Sequence, residues 1–224
     1  MDSNQKEAVT LSIQLKLDLL SQDAQRQAEA ADRLTDLARL SPALAAPLIR
    51  LALCTQNKMA CRNAAQALPA LAAADTESAT TLFADLFRGE IGDLKSLEPI
   101  TELIALAHTA PRPAARILKQ LLLIPNDIIH AHVALALPAI SQADPLVALP
   151  LTEEALADPD PCVRSQGAMA LVPLAASYPA LAEMPIALAL QDTDDQVLLP
   201  ARKAERTLEQ IMALSPTSEY AMTE

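Results

Sequence analysis

The sequence has very little glycine and almost no aromatic residues. Among its 224 residues there are 3 Gly, 2 Phe, 2 Tyr and no Trp. Strands favour aromatic side chains, so their scarcity argues against a β-sandwich or a β-barrel. Nucleotide-binding α/β folds need glycine-rich phosphate loops, and glycines at 89, 92 and 167 cannot build one. Few aromatic rings also argue against base stacking and against a deep small-molecule pocket.

Basic residues are outnumbered as well. The chain has 17 Lys and Arg against 28 Asp and Glu, which gives a formal net charge of -11 and a pI near 4.7. A field of this sign repels nucleic-acid phosphates and anionic membranes, so we expect neither as a partner. The polar N-terminus lacks an apolar signal core, and the longest apolar runs are too short to span a bilayer. We therefore expect a cytoplasmic protein.

Side chains that commonly carry chemistry are sparse. Cys54, Cys61 and Cys162 are odd in number and sit among apolar residues, which predicts buried, reduced thiols and no disulfide framework. His130 and His132 are two residues apart, whereas a helical zinc pair needs a spacing of four. No residue pattern resembles a nucleophile held beside a base. We expect no metal, no cofactor and no enzymatic activity.

Alanine and leucine dominate the composition. There are 45 Ala and 39 Leu in the chain, and both residues are strong helix formers. A polar turn residue followed by a helical apolar pattern recurs along the whole sequence, at spacings of 34, 36, 34, 33 and 35 residues. Such residues are preferred helix N-caps. The six turn residues are Asp23, Asn57, Asp93, Asp127, Asp160 and Asp195.

The repeating unit is predicted to be a helix, a turn and a second helix. After Asp160 the apolar residues Val163, Ala168, Leu171 and Leu174 fall on one face of a helix. No single unit can bury this face alone, so the units must stack. We predict an all-α fold of six helical pairs in one domain, residues 1–214, followed by a flexible tail, residues 215–224. Prolines within the predicted first helices predict bends at Pro47, Pro150 and Pro185, and Pro69, Pro138 and Pro173 recur late in the second helices.

One unit carries a recognisable motif. Residues 157–171, Ala-Asp-Pro-Asp-Pro-Cys-Val-Arg-Ser-Gln-Gly-Ala-Met-Ala-Leu, resemble the HEAT-repeat signature of an Asp-rich turn, Val-Arg, small residues and Leu. The second unit has its arginine, Arg62, one position late, and the fourth has Ile129-His130 in place of Val-Arg. The chain is similar to the short bacterial HEAT-like repeats of the phycobilin-lyase-like type. The resemblance implies a right-handed α-solenoid, and it implies that Arg164 pairs with a turn carboxylate of its own or the next unit.

The resemblance also implies that the second helices line a concave surface. Residues opposite their apolar stripes are then candidates for binding a partner, and they run from acidic at the N-terminal end to basic at the C-terminal end. The predicted partner-binding residues are Arg62, Asn63, Gln66, His132, Gln166, Arg202, Lys203 and Arg206, beside Glu29, Asp32, Asp36, Glu98, Glu102, Ser165 and Met169 on the same face. A solvated helix face without a partner explains this pattern about equally well.

Acidic residues cluster at the turns of the fifth and sixth units. Stacked turns would place them along one edge, which could bind a basic segment of a partner protein. Helix capping explains at least two of these carboxylates without a partner. The residues of this predicted acidic edge are Asp158, Asp160, Asp192, Asp194 and Asp195.

These observations predict a non-enzymatic protein–protein interaction scaffold or adaptor. The alternative is an accessory or maturation factor of an enzyme system, of the phycobilin-lyase type or handling a cofactor. A third alternative is a repeat protein that is stable but binds nothing, although the irregularity of the units favours a natural origin over consensus design. The sequence leaves the partner and the oligomeric state open.

Overall fold

The protein is helical wherever its structure is described. In a computed structural model, residues 3–92 and 99–214 are described, and every regular element within these ranges is an α-helix. This confirms the all-α fold that the Ala and Leu content predicts. The predicted turn residue Asp93, the candidate Glu98 and the predicted tail from Ser215 lie outside the described residues.

The helices fall into two compact units, Met1–Ala136 and Leu137–Glu224. The first contains α1 (Ser3–Leu19), α2 (Ala24–Asp32), α3 (Leu34–Leu40), α4 (Pro42–Leu53), α5 (Lys58–Gln66), α6 (Leu68–Ala74), α7 (Thr76–Arg88), α8 (Pro99–Thr109), α9 (Pro111–Leu122) and α10 (Asp127–Ala134). The second contains α11 (Leu137–Ala143), α12 (Pro145–Leu156), α13 (Pro161–Ser177), α14 (Pro179–Ala189) and α15 (Asp195–Leu214).

Helices of the first unit pack in two layers. α1, α4, α7 and α9 contact one another in that order, and α2, α5, α8 and α10 form a second row beside them. Each helix of the first row also packs against the second-row helix that follows it. The contacts use small residues, such as Ala45, Ala52, Ala60 and Ala64, all fully buried. Small side chains let neighbouring helices approach closely.

The second unit is organised around α13. This helix packs against α11, α12, α14 and α15, and α12 also contacts α14. Its buried residues Ala168, Leu171 and Leu174 join Ile186 of α14 and Val197 of α15 in one hydrophobic cluster. Where α13 meets α12, a Cβ added to the glycine at 167 would lie 3.2 Å from the Ala155 Cβ and from the Leu156 amide nitrogen. Glycine at this position therefore permits the close approach of the two helices.

Three helices of the described residues begin at predicted cap residues. The Asp23 and Asn57 side chains each accept two backbone amides in the first turns of α2 and α5. The Asp160 carboxylate accepts the amide of Cys162 at the start of α13. Each bond satisfies an amide that has no partner within the helix.

At two other turns the predicted cap is wrong by one residue. Asn126, and not Asp127, caps α10, and the Asp194 carboxylate, not that of Asp195, accepts the first-turn amide of α15. Asp127 and Asp195 are instead the first residues of their helices, where a negative charge interacts favourably with the helix dipole. With this correction the caps at 23 and 57, at 126 and 160, and at 160 and 194 are each 34 residues apart.

Second helices of the first two pairs are divided in two, which the sequence pattern did not predict. α2 ends before Arg33 and α5 before Ala67, and a new helix starts one residue later in each case. At the second break the Ala67 amide donates to the carbonyl of Ala64, three residues back. Pro69 follows this break, so the proline nitrogen interrupts no continuous ladder. Pro173 lies inside α13, and Pro47, Pro150 and Pro185 lie inside α4, α12 and α14.

No helix of the described ranges is both long enough and apolar enough to traverse a lipid bilayer.

Candidate functional site

Three basic side chains stand together on α15. Arg202, Lys203 and Arg206 are all exposed and share one face of the helix, one turn after Leu199, which is 68% exposed. The opposite face of α15 is buried in the core of the second unit. Within residues 3–92 and 99–214, no carboxylate lies within 4.0 Å of these three cations. Their charge is therefore available to a binding partner.

Helix α13 supplies the side of this surface next to α15. The Ser165 hydroxyl donates a 2.9 Å hydrogen bond to the Gln196 carbonyl in the first turn of α15. Gln166 is half-buried, and Met169, one turn further along α13, is 45% exposed. We call the set Gln166, Met169, Leu199, Arg202, Lys203 and Arg206 the basic face. It combines apolar contact area with three cations that have no ion pair among the described residues.

The predicted acidic edge is built from two equivalent Asp-x-Asp turns. In each turn the first aspartate accepts the amide of the second, at 2.8 Å for Asp158 and Asp160 and at 2.9 Å for Asp192 and Asp194. The second aspartate then caps the helix that follows, with bonds of 2.8 Å to the amides of Cys162 and Gln196. Four of the five predicted carboxylates thus have structural partners within the chain.

The fifth carboxylate of this edge, that of Asp195, is exposed in the first turn of α15. The negative charges of Asp160 and, to a smaller extent, Asp194 raise the pKa of the nearby Cys162 thiol. Burial and a hydrogen bond to Asp160 act in the same direction. A thiol with a raised pKa carries little thiolate, so Cys162 is a poor nucleophile at neutral pH.

Arg164 joins the two turns, as the HEAT-like motif implies. Its Nε and Nη2 donate to the two carboxylate oxygens of Asp192 at 2.6 and 3.2 Å. Its Nη1 donates to the carbonyls of Asp158 and Pro159. Hydrogen bonds from Arg164 are the main reason that the pKa of Asp192 lies below its usual value. The predicted structural role of this arginine is confirmed, and the partner is the carboxylate of the next turn.

Sequence reasoning missed that a side chain at the position of Arg164 acts in the same way in other turns. We call this the cap+4 position, four residues after the helix cap. In each case the side chain reaches back to the carbonyl six residues earlier. The pairs are Gln27 with Ser21 at 2.8 Å, Cys61 with Thr55 at 3.2 Å, His130 with Ile124 at 2.7 Å and Arg164 with Asp158 at 3.1 Å.

These bonds agree with the one-residue offset of Arg62 in the second unit. Cys61, and not Arg62, occupies the place of Arg164, and Arg62 is exposed on α5. The cysteines also differ from the prediction of buried thiols, because only Cys61 is buried while Cys54 and Cys162 are exposed. The Cys61 thiol contacts the Thr55 carbonyl just after the end of α4. Cys54 directly follows α4 and Cys162 lies in the first turn of α13, and both face solvent.

Predicted face residues of the first unit lie on α5, α8 and α10. α8 packs against both of the other helices. Arg62 and Gln66 of α5 and His132 of α10 are exposed, and one ring nitrogen of His132 lies 2.7 Å from the Ile128 carbonyl. Asn63 is instead used internally, since its side-chain amide donates a 3.0 Å bond to the Ala28 carbonyl. At the acidic end of the predicted face, Glu29, Asp32 and Asp36 are exposed.

Glu102 of α8 is half-buried, and this burial raises the pKa of its carboxyl above the usual value of 4.5. A raised pKa means that the folded state favours the protonated acid, so stability falls as the pH rises through that pKa. We expect Glu102→Gln to raise the Tm near pH 7 and to leave it unchanged below about pH 4. Thermal unfolding followed by circular dichroism measures both values.

The control for this variant is Glu209→Gln, at an exposed position of α15 outside its first and last turns. It should leave the Tm unchanged at both pH values. Equal melting temperatures of the parent and Glu102→Gln proteins at neutral pH would contradict the assigned effect of burial.

Among the described residues, no three His, Cys, Asp or Glu side chains are placed to hold one metal ion. One ring nitrogen each of His130 and His132 lies 2.7 Å from a carbonyl of its own segment, and the Cys61 thiol faces the carbonyl of Thr55.

Comparisons with known proteins find only distant structural similarity. No protein-family model matches the chain, and no curated protein matches it either. An engineered protein aligns with 90% of this chain and 97% of its own, at 18% identity and a TM-score of 0.46. A second engineered protein aligns with 94% of this chain and 100% of its own, at 19% identity and a TM-score of 0.45. Human deoxyhypusine hydroxylase, in complex with glycerol, aligns with 92% of this chain and 90% of its own, at 16% identity and a TM-score of 0.37.

Proposed function

We propose that the protein is a non-enzymatic protein-binding scaffold, a right-handed HEAT-like α-solenoid of about six helical pairs. Caps spaced by 34 residues and the recurring cap+4 bond support a repeat of this type. The two rows of helices in the first unit support stacked pairs. Stacked repeats bind partners through many shallow contacts over an extended surface.

The basic face is the observation that carries the proposal. Three cations that form no ion pair with any described residue lie next to Met169 and Leu199, and this surface suits an acidic segment with some apolar side chains. Charge of this kind orients a partner and accelerates its association. The acidic edge is less available, because most of its carboxylates bind amides or Arg164. We therefore place the principal contact on the basic face.

Charge reversal of the basic face tests this function. In the variant Arg202→Glu, Lys203→Glu, Arg206→Glu, we expect partner association to weaken by at least about tenfold, because attraction becomes repulsion. The three side chains are exposed, so the Tm should change little. The measurement is affinity purification of the tagged full-length protein from its native cells, with quantitative mass spectrometry.

A matched control reverses the same number of charges elsewhere. Lys58, Arg112 and Arg116 are exposed cations of the first unit outside every predicted binding set, and their reversal should preserve capture. The proposal gains support from proteins that the basic-face variant loses and the control retains. Identical capture by the parent and both variants would remove the basic face as the binding site.

A further inference from the structure

Helix α14 exposes an apolar stripe that the core of the second unit does not use. Leu181, Met184 and Leu188 are 46%, 80% and 54% exposed, and Met184 is the most exposed large apolar side chain among the described residues. Their spacing of three and four residues places them on one face of the helix. Methionine is over-represented at surfaces that bind varied apolar side chains.

The stripe is separate from the residues that hold α14 in place. Ala182, Ile186 and Ala189 of the same helix are buried in the cluster shared with α13 and α15. α14 is therefore anchored on its inner side, and its outer side makes no contribution to that cluster. An exposed apolar stripe with no role in the core is a candidate binding surface.

The charged side chains that α12 and α14 themselves contribute near the stripe are all acidic. Glu183 lies on α14 itself, and Glu153 and Glu154 lie on α12, which packs against α14. All three glutamates are exposed, and neither helix contains a Lys, Arg or His. We call Leu181, Met184, Leu188 and these glutamates the α14 face. It is apolar in the centre and acidic at the rim.

We propose that the α14 face binds a basic amphipathic helix of a partner protein. The apolar side of such a helix would cover the stripe, and its Lys or Arg residues would meet the glutamates. A second copy of this chain is disfavoured as the occupant, because two α14 faces would bring like charges together. The residues after Leu214 are disfavoured as well, since they contain two Glu and no basic residue.

This surface is independent of the basic face and has the opposite charge preference. A partner with a basic helix would use α14, whereas an acidic segment would use α13 and α15. Loss of one interaction need not affect the other, so an experiment on α14 separates the two proposals.

The test measures binding of the full-length protein to a synthetic probe helix. The probe is a fluorescent peptide of about 18 residues with Leu on one helical face and Lys on the other, and fluorescence anisotropy reports binding. A peptide with Glu in place of Lys is the charge control. We expect the Lys peptide to bind at least about tenfold more tightly than the Glu peptide.

Variants locate the binding site. We expect the double variant Met184→Gln, Leu188→Gln to bind the Lys peptide at least about tenfold more weakly than the parent protein does. The control is Ile13→Gln with Leu17→Gln, since these α1 residues are 57% and 63% exposed, and its affinity should be unchanged. Neutralising Glu153 and Glu183 with Gln should weaken binding and reduce its salt dependence.

Three outcomes would overturn the proposal. The first is equal loss of affinity in the α14 and α1 variants, and the second is equal affinity for the Lys and Glu peptides. The third is a concentration-dependent dimer, seen by sedimentation, that Met184→Gln with Leu188→Gln abolishes, since the occupant would then be a second copy. Reversal of the basic-face cations should leave peptide binding intact, which keeps this result separate from the scaffold proposal.

Discussion

Replacing Phe83 with alanine is expected to lower the free energy of unfolding by about 3–5 kcal/mol. Phe83 lies on α7, is 0% exposed and is the largest fully buried side chain of the described residues. α7 packs against α4, α6, α8 and α9, so the phenyl ring is enclosed by helices. The buried residues around these contacts are mainly Ala and Leu. Such short side chains on regular helices cannot move far enough to fill the cavity.

Urea unfolding followed by circular dichroism measures this loss as a lower midpoint with an unchanged slope. The control is Leu123→Ala, because Leu123 is 68% exposed and its truncation leaves no cavity. We expect the control to change stability by no more than about 0.5 kcal/mol. A loss below about 1 kcal/mol for Phe83→Ala would show that the space around α7 collapses or is loosely packed.

The helical fold could be predicted because composition and periodicity give the same answer. In α13 the predicted apolar residues Val163, Ala168, Leu171 and Leu174 are all at most 1% exposed. One face of a helix repeats every 3.6 residues, so a regular pattern of apolar residues locates the buried side. The helix breaks at Arg33 and Ala67 were not predicted, because the apolar pattern continues across them.

Equivalent residues in different repeats could not be aligned by residue type. The cap+4 position holds Gln27, Cys61, His130 and Arg164, which share only the ability to bond to a backbone carbonyl. An alignment of the repeats on arginine would select Arg62, which is exposed, and would miss Cys61, which holds the cap+4 position. Geometry is conserved between the repeats here, while the chemical type of the side chain is not.

The positions of the candidate site residues could be predicted from the sequence. Which of their side chains already form hydrogen bonds within the chain could not be predicted. The sequence placed the basic triplet on one face of α15, and the structure shows all three side chains exposed. It placed the aspartates at the turns but could not count their internal hydrogen bonds. Asn63 is a similar case, because its side-chain amide binds the Ala28 carbonyl of a neighbouring helix. The hydrogen-bond partners of Asn63 and Arg164 lie 35 and 28 residues away in the sequence, so they can be identified only from the packing of the helices.

Replacing Arg164 with methionine is expected to lower the free energy of unfolding by about 1–2 kcal/mol at neutral pH. The side chains of Arg164 and Asp192 are only 19% and 12% exposed, and the contact is bidentate. Solvent still reaches the turn, so the loss should be smaller than for a fully buried pair. Removing the guanidinium also leaves Asp158, Asp192 and Asp194 close together without a neutralising charge.

The pH dependence of this loss identifies its cause. Hydrogen bonds from Arg164 lower the pKa of Asp192 below 3.8, so the stabilisation is present above that value and is lost as the pH falls through the lowered pKa. The difference in stability between the parent and Arg164→Met should therefore shrink in acid. Arg39→Met is the matched control, because Arg39 and Asp36 are 3.5 Å apart but 69% and 67% exposed, and its effect should stay below about 0.5 kcal/mol. An equal effect of both variants in urea unfolding, or a gap for Arg164→Met that does not depend on pH, would show that Arg164 contributes by packing its side chain and not through the carboxylate.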